Sequence, residues 1–130
     1  MLSRTFLCSS IAAVSLVATL SVAQAQTDGD GGQMAFNNAC RTCHSVKEGD
    51  NRLGPSLYGI VGKKAGTASG FESTPSMRNS GIVWDVAKLD AFIADPDAVV
   101  PGNGMKPFGG IGSAEERKKI TSYLASAGSN

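Results

Sequence analysis

Apolar side chains recur near helical spacing in the segment Gly32–Cys43, at Met34, Phe36 and Ala39. This pattern predicts an amphipathic helix that runs into a pair of cysteines, with Met34 packed in the core. The stretch before it, Gln26–Gly31, is polar and acidic. We therefore expect that stretch to be a frayed terminus.

Two further helices are predicted in the second half of the chain. Asp85 is a good N-cap for the first of them, and Pro96 ends it. The second begins at a capping box formed by Ser113 and Glu116 and is closed by Gly128. The inward positions are Val86, Leu89, Phe92 and Ile93 in one helix, and Ile120, Tyr123, Leu124 and Ala127 in the other.

The other segments are predicted to be loops. Glycines punctuate Lys47–Gly70, with one short helical turn expected around Ser56–Val61. In Phe71–Arg78, Pro75 marks either a helix start or a turn, and Asp97–Val100 is expected to form another turn. No segment alternates apolar and polar residues convincingly as a strand would. The predicted fold is a small all-α domain of three to five helices with long glycine-rich loops.

The N-terminal residues differ in composition from the rest. Arg4 is followed by an apolar run over Ile11–Val22 and by a small-x-small pattern ending at Ala25. We interpret residues 1–25 as a cleaved secretory signal, with an uncleaved N-terminal anchor as the alternative. Residues 26–130 then form one exported domain, which we place in the periplasm. No stretch of that domain approaches the length needed to span a bilayer.

Composition limits what the mature part can be. Without Arg4 it has equal numbers of basic and acidic side chains, which gives no indication of nucleic-acid binding. It holds all 16 glycines of the chain and few aromatic residues. A domain of this size and composition has little side-chain volume for a core. We therefore expect a disulfide, a metal or a large cofactor to complete it.

The candidate chemistry lies in the sequence C-R-T-C-H, at Cys40, Cys43 and His44. A structural zinc site needs four ligands, and these three are all the cysteines and histidines of the mature part. A thioredoxin-like pair needs a strand and a parallel sheet, and a disulfide across two intervening residues closes a very small loop and leaves His44 unexplained. Covalent haem attachment uses all three residues. Cysteines three apart on a helical turn share one face, and the next residue can bind the iron.

A second iron ligand must come from elsewhere, because His44 is the only histidine. The candidates are a methionine, water or nothing. Met34 is too near His44 in sequence to reach the opposite haem face, and Met77 lies in an ambiguous segment. Met105 lies in V-V-P-G-N-G-M-K-P-F-G-G-I-G, a loop stiffened by prolines. We predict Met105 as the ligand, with a core-filling role as the alternative.

These stretches together resemble class I cytochrome c, close to the mitochondrial and bacterial cytochrome c2 type. The resemblance covers about residues 32–127. It is carried in order by GGQMAFNNACRTCH, LGPSLYGIVGKKAG, SGIVWDVAKLDAFIADP, VPGNGM and ERKKITSYL. It implies a fold wrapped around one covalently attached haem c.

The resemblance also implies a role for individual residues. Cys40 and Cys43 would form the two thioether links, while His44 and Met105 would be the axial iron ligands. The carbonyl of Pro55 would accept a hydrogen bond from His44, which fixes the ring. At the haem propionates, the resemblance implies Trp84 as a hydrogen-bond donor and Lys63 in place of an arginine. Gly32, Phe36 and Tyr123 match the family's crossing of the first and last helices.

The sequence departs from the family pattern around the haem. Phe71 and Ser73 stand where mitochondrial relatives carry tyrosines near the propionates, and Phe92 replaces the tyrosine that bonds the methionine sulfur. The loop after Met105 is one residue longer. The lysine-rich run before the methionine loop is replaced by A-D-P-D-A-V-V. A modest docking patch is still expected from Arg41, Lys47, Lys63, Lys64 and Lys106.

Two axial ligands would close the iron to substrates, which favours electron transfer over catalysis. We therefore expect a monomeric carrier, not an enzyme, that cycles between Fe(III) and Fe(II). Its partners would be redox proteins such as a cytochrome bc1 complex, a terminal oxidase, a photosynthetic reaction centre or a periplasmic dehydrogenase. The alternatives are a gas-binding or catalytic haem protein that lacks Met105 ligation, and a fixed subunit of a larger complex.

Overall fold

The computed structural model describes residues 24–129, so most of the predicted signal peptide lies outside the described residues. Five helices follow one another along the chain. They are α1 (Gln24–Ala39), α2 (Pro75–Asn79), α3 (Val86–Ala94), α4 (Pro96–Val99) and α5 (Ala114–Ser126). Between residues 24 and 129 the only β pairing is an isolated antiparallel bridge between Lys64 and Val83. The predicted all-α fold with long loops is confirmed.

Helix α1 differs from its prediction at both ends. It includes Gln26–Gly31, so the expected frayed terminus is wrong. Once a helix has nucleated, each further residue adds one hydrogen bond at little cost, and poor helix formers can be included. The helix ends at Ala39, before the cysteines, although the amide of Cys40 still donates to the carbonyl of Phe36 at 2.8 Å.

The capped helices match their predictions closely. The Asp85 carboxylate accepts from the amide of Lys88, and α3 ends just before the segment that contains Pro96. The Ser113 hydroxyl likewise accepts from the amide of Glu116 at the start of α5. Thr74 caps α2, which decides the ambiguous segment in favour of a short helix starting at Pro75. The short helical turn expected around 56–61 is wrong, because that segment forms only hydrogen-bonded turns.

The first and last helices cross in close contact. A Cβ at Gly32 would lie 2.8 Å from the carbonyl oxygen of Lys119, so the backbones meet where only glycine fits. The rings of Phe36 and Tyr123 pack beside this crossing with centroids 5.5 Å apart. This pairing confirms the crossing that the resemblance implied.

Two predicted core positions lie on the surface. Met34 is 63% exposed and Val86 is 44% exposed. Helical spacing identifies the apolar stripe of a helix but not how much of it a neighbour covers. Helix α5 covers the side of α1 that carries Phe36, and Met34 is left outside.

Candidate haem site

The cysteines lie on a turn that continues directly from α1. The amides of Cys43 and His44 both donate to the carbonyl of Cys40, at 3.1 and 2.9 Å. Both cysteines are free thiols and half-buried. The turn therefore presents two unpaired sulfurs beside a histidine, which does not fit a structural disulfide.

His44 is held on one side by a hydrogen bond and on the other by packing. Its Nδ1 lies 2.8 Å from the carbonyl oxygen of Pro55, and the residue is 8% exposed. Because a carbonyl can only accept, Nδ1 carries the proton and Nε2 keeps its lone pair. Burial lowers the pKa of His44, and the Pro55 hydrogen bond opposes that shift. The result is an oriented, neutral imidazole, which is the form that binds a metal.

Gly54 provides the space for this ring. A Cβ at position 54 would lie 2.3 Å from Cε1 of His44 and 2.9 Å from its Nε2. The amide of Gly54 also donates to the carbonyl of Cys43 at 2.8 Å. The loop that supplies Pro55 is thus tied to the cysteine motif itself.

Met105 lies in a separate loop and packs against a second part of the core. Its neighbours belong to the Trp84 cluster, whose buried members are Ala65, Trp84, Leu89, Phe92 and Val100. The cysteine motif instead borders the Ile120 cluster, whose buried members are Phe36, Ile93, Ile120 and Leu124. Ile60 contacts both clusters. His44 and Met105 are therefore supported by different parts of the fold.

Comparison with known proteins gives a consistent result. The sequence model of the family described as Cytochrome c matches residues 30–128. The chain belongs to the cytochrome c family. A cytochrome c2 iso-2 of Magnetospirillum molischianum is 45% identical over 85 residues, which cover 65% of this chain and 87% of that protein. The cytochrome c2 of Rhodoplanes tepidamans is 40% identical over 102 residues, with 78% and 94% covered.

A solved structure has the same fold. Cytochrome cH from Methylobacterium extorquens is similar with a TM-score of 0.67 and 38% sequence identity, over 75% of this chain and 96% of that one. This cytochrome is thus an electron carrier that binds one haem c covalently. Cys40 and Cys43 fit the Cys-X-X-Cys motif through which this family attaches haem, and both are unpaired thiols.

Before haem is attached, the Cys40 thiol is not activated by its surroundings. Burial raises the pKa of Cys40 to about 11, and the negative charges of Glu116 and Cys43 add to the increase. The thiolate is the reactive form of a cysteine. In the folded chain without haem, Cys40 is therefore protonated at neutral pH.

The residues that the resemblance places near the propionates differ in their surroundings. Trp84 is 4% exposed and packs against Phe92 with ring centroids 5.1 Å apart. Lys63 is exposed, and its Nζ donates to the carbonyl of Tyr58 at 2.6 Å. Ser73 is buried, and Arg78 donates to its carbonyl. Lys63 is therefore already engaged by the backbone, whereas Trp84 is fixed by packing.

Sequence reasoning missed one residue of this site. Asn103 is 7% exposed, and its Oδ1 accepts from the amide of Met105 at 2.7 Å. Its amide group donates to Asp97 at 2.9 Å and to the carbonyl of Val100 at 3.0 Å. The available signal was the polar residue between two glycines in P-G-N-G-M, a pattern typical of a tight loop. Gly102 and Gly104 do both adopt positive φ there.

Two further findings concern the surface. The predicted docking-patch residues Arg41, Lys47, Lys63, Lys64 and Lys106 are all exposed. Lys106 is paired with Asp97, which reduces its net contribution to a positive patch. Within residues 24–129, no helix is long and apolar enough to cross a membrane.

Proposed function

We propose that His44 and Met105 bind the haem iron from opposite sides and that this cytochrome carries single electrons between redox proteins in the periplasm. The observation that carries the proposal is the fixed imidazole of His44, with Nδ1 at 2.8 Å from the Pro55 carbonyl. The bound haem supplies the one-electron Fe(III)/Fe(II) couple.

On the proximal side, the chain orients a ligand before iron is bound. The Pro55 carbonyl selects the tautomer of His44 that leaves Nε2 free. The contact with Gly54 limits rotation of the ring. Little reorganisation of His44 is then needed when iron changes its charge, which favours rapid electron transfer.

On the distal side, the Asn103 hydrogen bonds hold the Met105 backbone. A Met105 thioether that bound the iron would come from a loop that is anchored to α4 through Asp97. Thioether sulfur favours ferrous iron, so this ligand raises the reduction potential relative to a second histidine. Phe92 packs on Trp84 in the cluster that Met105 contacts, and it offers no hydroxyl to the sulfur.

Trp84 and Lys63 differ in how firmly each could hold a haem propionate. The buried Trp84 presents an indole N–H from a fixed ring, and we propose it as a propionate donor. Lys63 donates one of its three N–H groups to the Tyr58 carbonyl and is exposed, so its charge is screened by water. A Lys63→Gln variant should therefore change the reduction potential less than a Trp84→Phe variant, as measured by equilibrium redox titration.

The N-terminal pattern of residues 1–25 supports export and cleavage of a signal peptide, which leaves residues 26–130 as the mature domain. Its partners would be a bc1 complex, terminal oxidase, reaction centre or periplasmic dehydrogenase. Mass analysis of the periplasmic protein tests the cleavage, and its elution on size exclusion tests whether it is a monomer. A mature protein that retains residues 1–25 would contradict the signal peptide.

The main test is the absorption spectrum of the purified, reduced holoprotein with and without carbon monoxide. A c-type spectrum that carbon monoxide leaves unchanged indicates six-coordinate iron and supports an electron carrier. A prompt shift of the Soret band would indicate an open site and favour the alternative of a gas-binding or catalytic haem protein.

Two methionine variants identify the sixth ligand. Met105→Ala should make the reduced protein bind carbon monoxide at once and should lower its potential. Met77→Ala is the matched control, because Met77 is also partly buried against the Trp84 cluster. If Met77→Ala opened the iron and Met105→Ala did not, the assignment of Met105 would be wrong.

A further inference from the structure

The exposed side of α1 forms a groove with the start of α5. Met34 and Ala35 line it from α1, and Glu115, Glu116 and Lys119 line it from α5. Its volume is about 360 Å³, and Met34 is 63% exposed. An exposed apolar side chain beside carboxylates is suited to contact with another molecule.

The groove carries an excess negative charge. Glu115 and Lys119 neutralise each other through an ion pair at 2.8 Å. Among the described residues, the carboxylate of Glu116 has neither an ion pair nor a hydrogen bond, and the N-cap Ser113 bonds only the Glu116 amide. The two carboxylates and the one ammonium group of the groove therefore leave one negative charge in excess, and the Glu116 side chain is half-buried.

The groove lies beside the point of haem attachment. Cys40 and Ala35 both pack against the Ile120 cluster, so the sulfur-bearing residue and the groove share the same support from α5. Cys40 follows α1 directly, shortly after Ala35 and Asn38, which line the groove. A molecule seated there would be close to the covalently bound edge of the cofactor.

We propose that this groove is a docking site for a redox partner that presents a lysine or arginine side chain beside its own cofactor. Such a side chain combines an aliphatic stem, which can cover Met34, with a cationic head that can pair with Glu116. The inference rests on the proposed electron-transfer function. It assigns the negative charge to this protein and the positive charge to the partner at this contact.

Small redox reagents test the groove without a known partner. The rate of oxidation of the reduced holoprotein is measured with tris(1,10-phenanthroline)cobalt(III), an apolar trication. In each event one electron leaves the protein and reduces cobalt(III) to cobalt(II). Hexaammineruthenium(II), a hydrophilic cation that donates one electron to the oxidised protein, and ferricyanide, a trianion, are the comparison reagents.

Charge and apolar contact are separated by two variants. Glu116→Gln should lower the rate of electron transfer with both cationic reagents about twofold to threefold at 0.1 M ionic strength. It should not lower the rate of oxidation by ferricyanide. Met34→Ser should slow only the phenanthroline complex. The controls are Glu48→Gln, which removes an exposed carboxylate outside the groove, and Val86→Ser, which removes an exposed valine on α3.

A second measurement does not depend on electron transfer. Hexaamminechromium(III) is a redox-inert, paramagnetic trication that broadens the NMR signals of groups near which it binds. It should broaden the Met34 methyl resonance and the Glu116 amide resonance more than the methyl and amide resonances of Val86. Equal effects of Glu116→Gln and Glu48→Gln on the cationic reagents would overturn the docking site, as would uniform broadening. The unchanged spectrum with carbon monoxide would still support the electron carrier, so the two proposals fail separately.

Discussion

Alanine at position 54 should displace the histidine that we propose as the proximal ligand. The new Cβ would lie 2.3 Å from Cε1 and 2.7 Å from Nδ1 of His44. Carbon atoms in contact are normally at least about 3.5 Å apart, so the ring or the loop must move by about 1 Å. The ring cannot move without loss, because Nδ1 is bonded to the Pro55 carbonyl and the residue is 8% exposed.

The expected cost follows from these contacts. Overpacking of a close-packed site costs about 1–3 kcal/mol. Weakening of the His44–Pro55 hydrogen bond adds about 1 kcal/mol. The lower entropy of alanine in the unfolded chain offsets about 0.5 kcal/mol. The free energy of unfolding should therefore fall by about 2–3 kcal/mol, which is equivalent to a Tm about 10–20 °C lower for a domain of this size.

Guanidinium unfolding of the holoprotein measures this loss. The matched control is Gly109→Ala, because a Cβ there meets nothing within 4 Å. Neither glycine has a positive φ, so the comparison isolates the contact with His44 from backbone strain. If the two variants unfolded at the same denaturant concentration, the steric argument for Gly54 would be refuted.

Three further predictions concern the supports of the distal loop and of α5. Asn103→Ala should destabilise the protein by about 1–3 kcal/mol and increase carbon monoxide binding by the reduced form, because a buried hydrogen-bond network is lost; unchanged binding would contradict this. A hydrogen bond from Lys106 lowers the pKa of Asp97. The stabilisation by ionised Asp97 is therefore complete above the normal carboxyl pKa, and it is lost as the pH falls through the lowered pKa. Asp97→Asn should flatten the acid limb of the stability curve. Arg117→Gln should cost about 2 kcal/mol in chemical unfolding, since Arg117 bonds Asp90 at 2.9 Å and the carbonyls of the preceding loop; a loss below about 0.5 kcal/mol would contradict the role of this contact.

Helix boundaries with a local cause were predictable from the sequence. Asp85 and Ser113 each bond the third amide that follows, and that interaction depends only on nearby residues. The N-terminal end of α1 was not predictable in this way, since nothing in the polar stretch favours a helix. Gly32 explains the crossing with α5 only once the opposing carbonyl of Lys119 is known.

The site was predictable in sequence position but not in its supporting contacts. The spacing of Cys40, Cys43 and His44 indicates haem attachment without any tertiary information. The bond to Pro55 came from the resemblance, because a contact across eleven residues has no local signature. Asn103 was missed for the same reason. Its partners are brought to it by the fold of the loop and of α4.

Met34 illustrates the limit of apolar periodicity. Its spacing from Phe36 and Ala39 places it near the apolar stripe of α1, yet it is 63% exposed. Whether such a side chain is buried depends on the surface of the neighbouring helix, and the start of α5 offers carboxylates there. Covering Met34 with Glu116 would bury an unpaired charge, which is costly. An open groove is the arrangement that avoids this cost.

The two sides of the iron site should not be equally stable. His44 is held by a backbone carbonyl and a buried contact, neither of which titrates. Met105 depends on Asn103, whose partner Asp97 is exposed and paired with Lys106. Exposed ion pairs contribute little and are weakened by salt and acid. As guanidinium is added, the reduced protein should therefore begin to bind carbon monoxide before it loses its helical circular dichroism signal. If the two transitions coincided, the His44 side and the Met105 side would be equally stable and this prediction would be wrong.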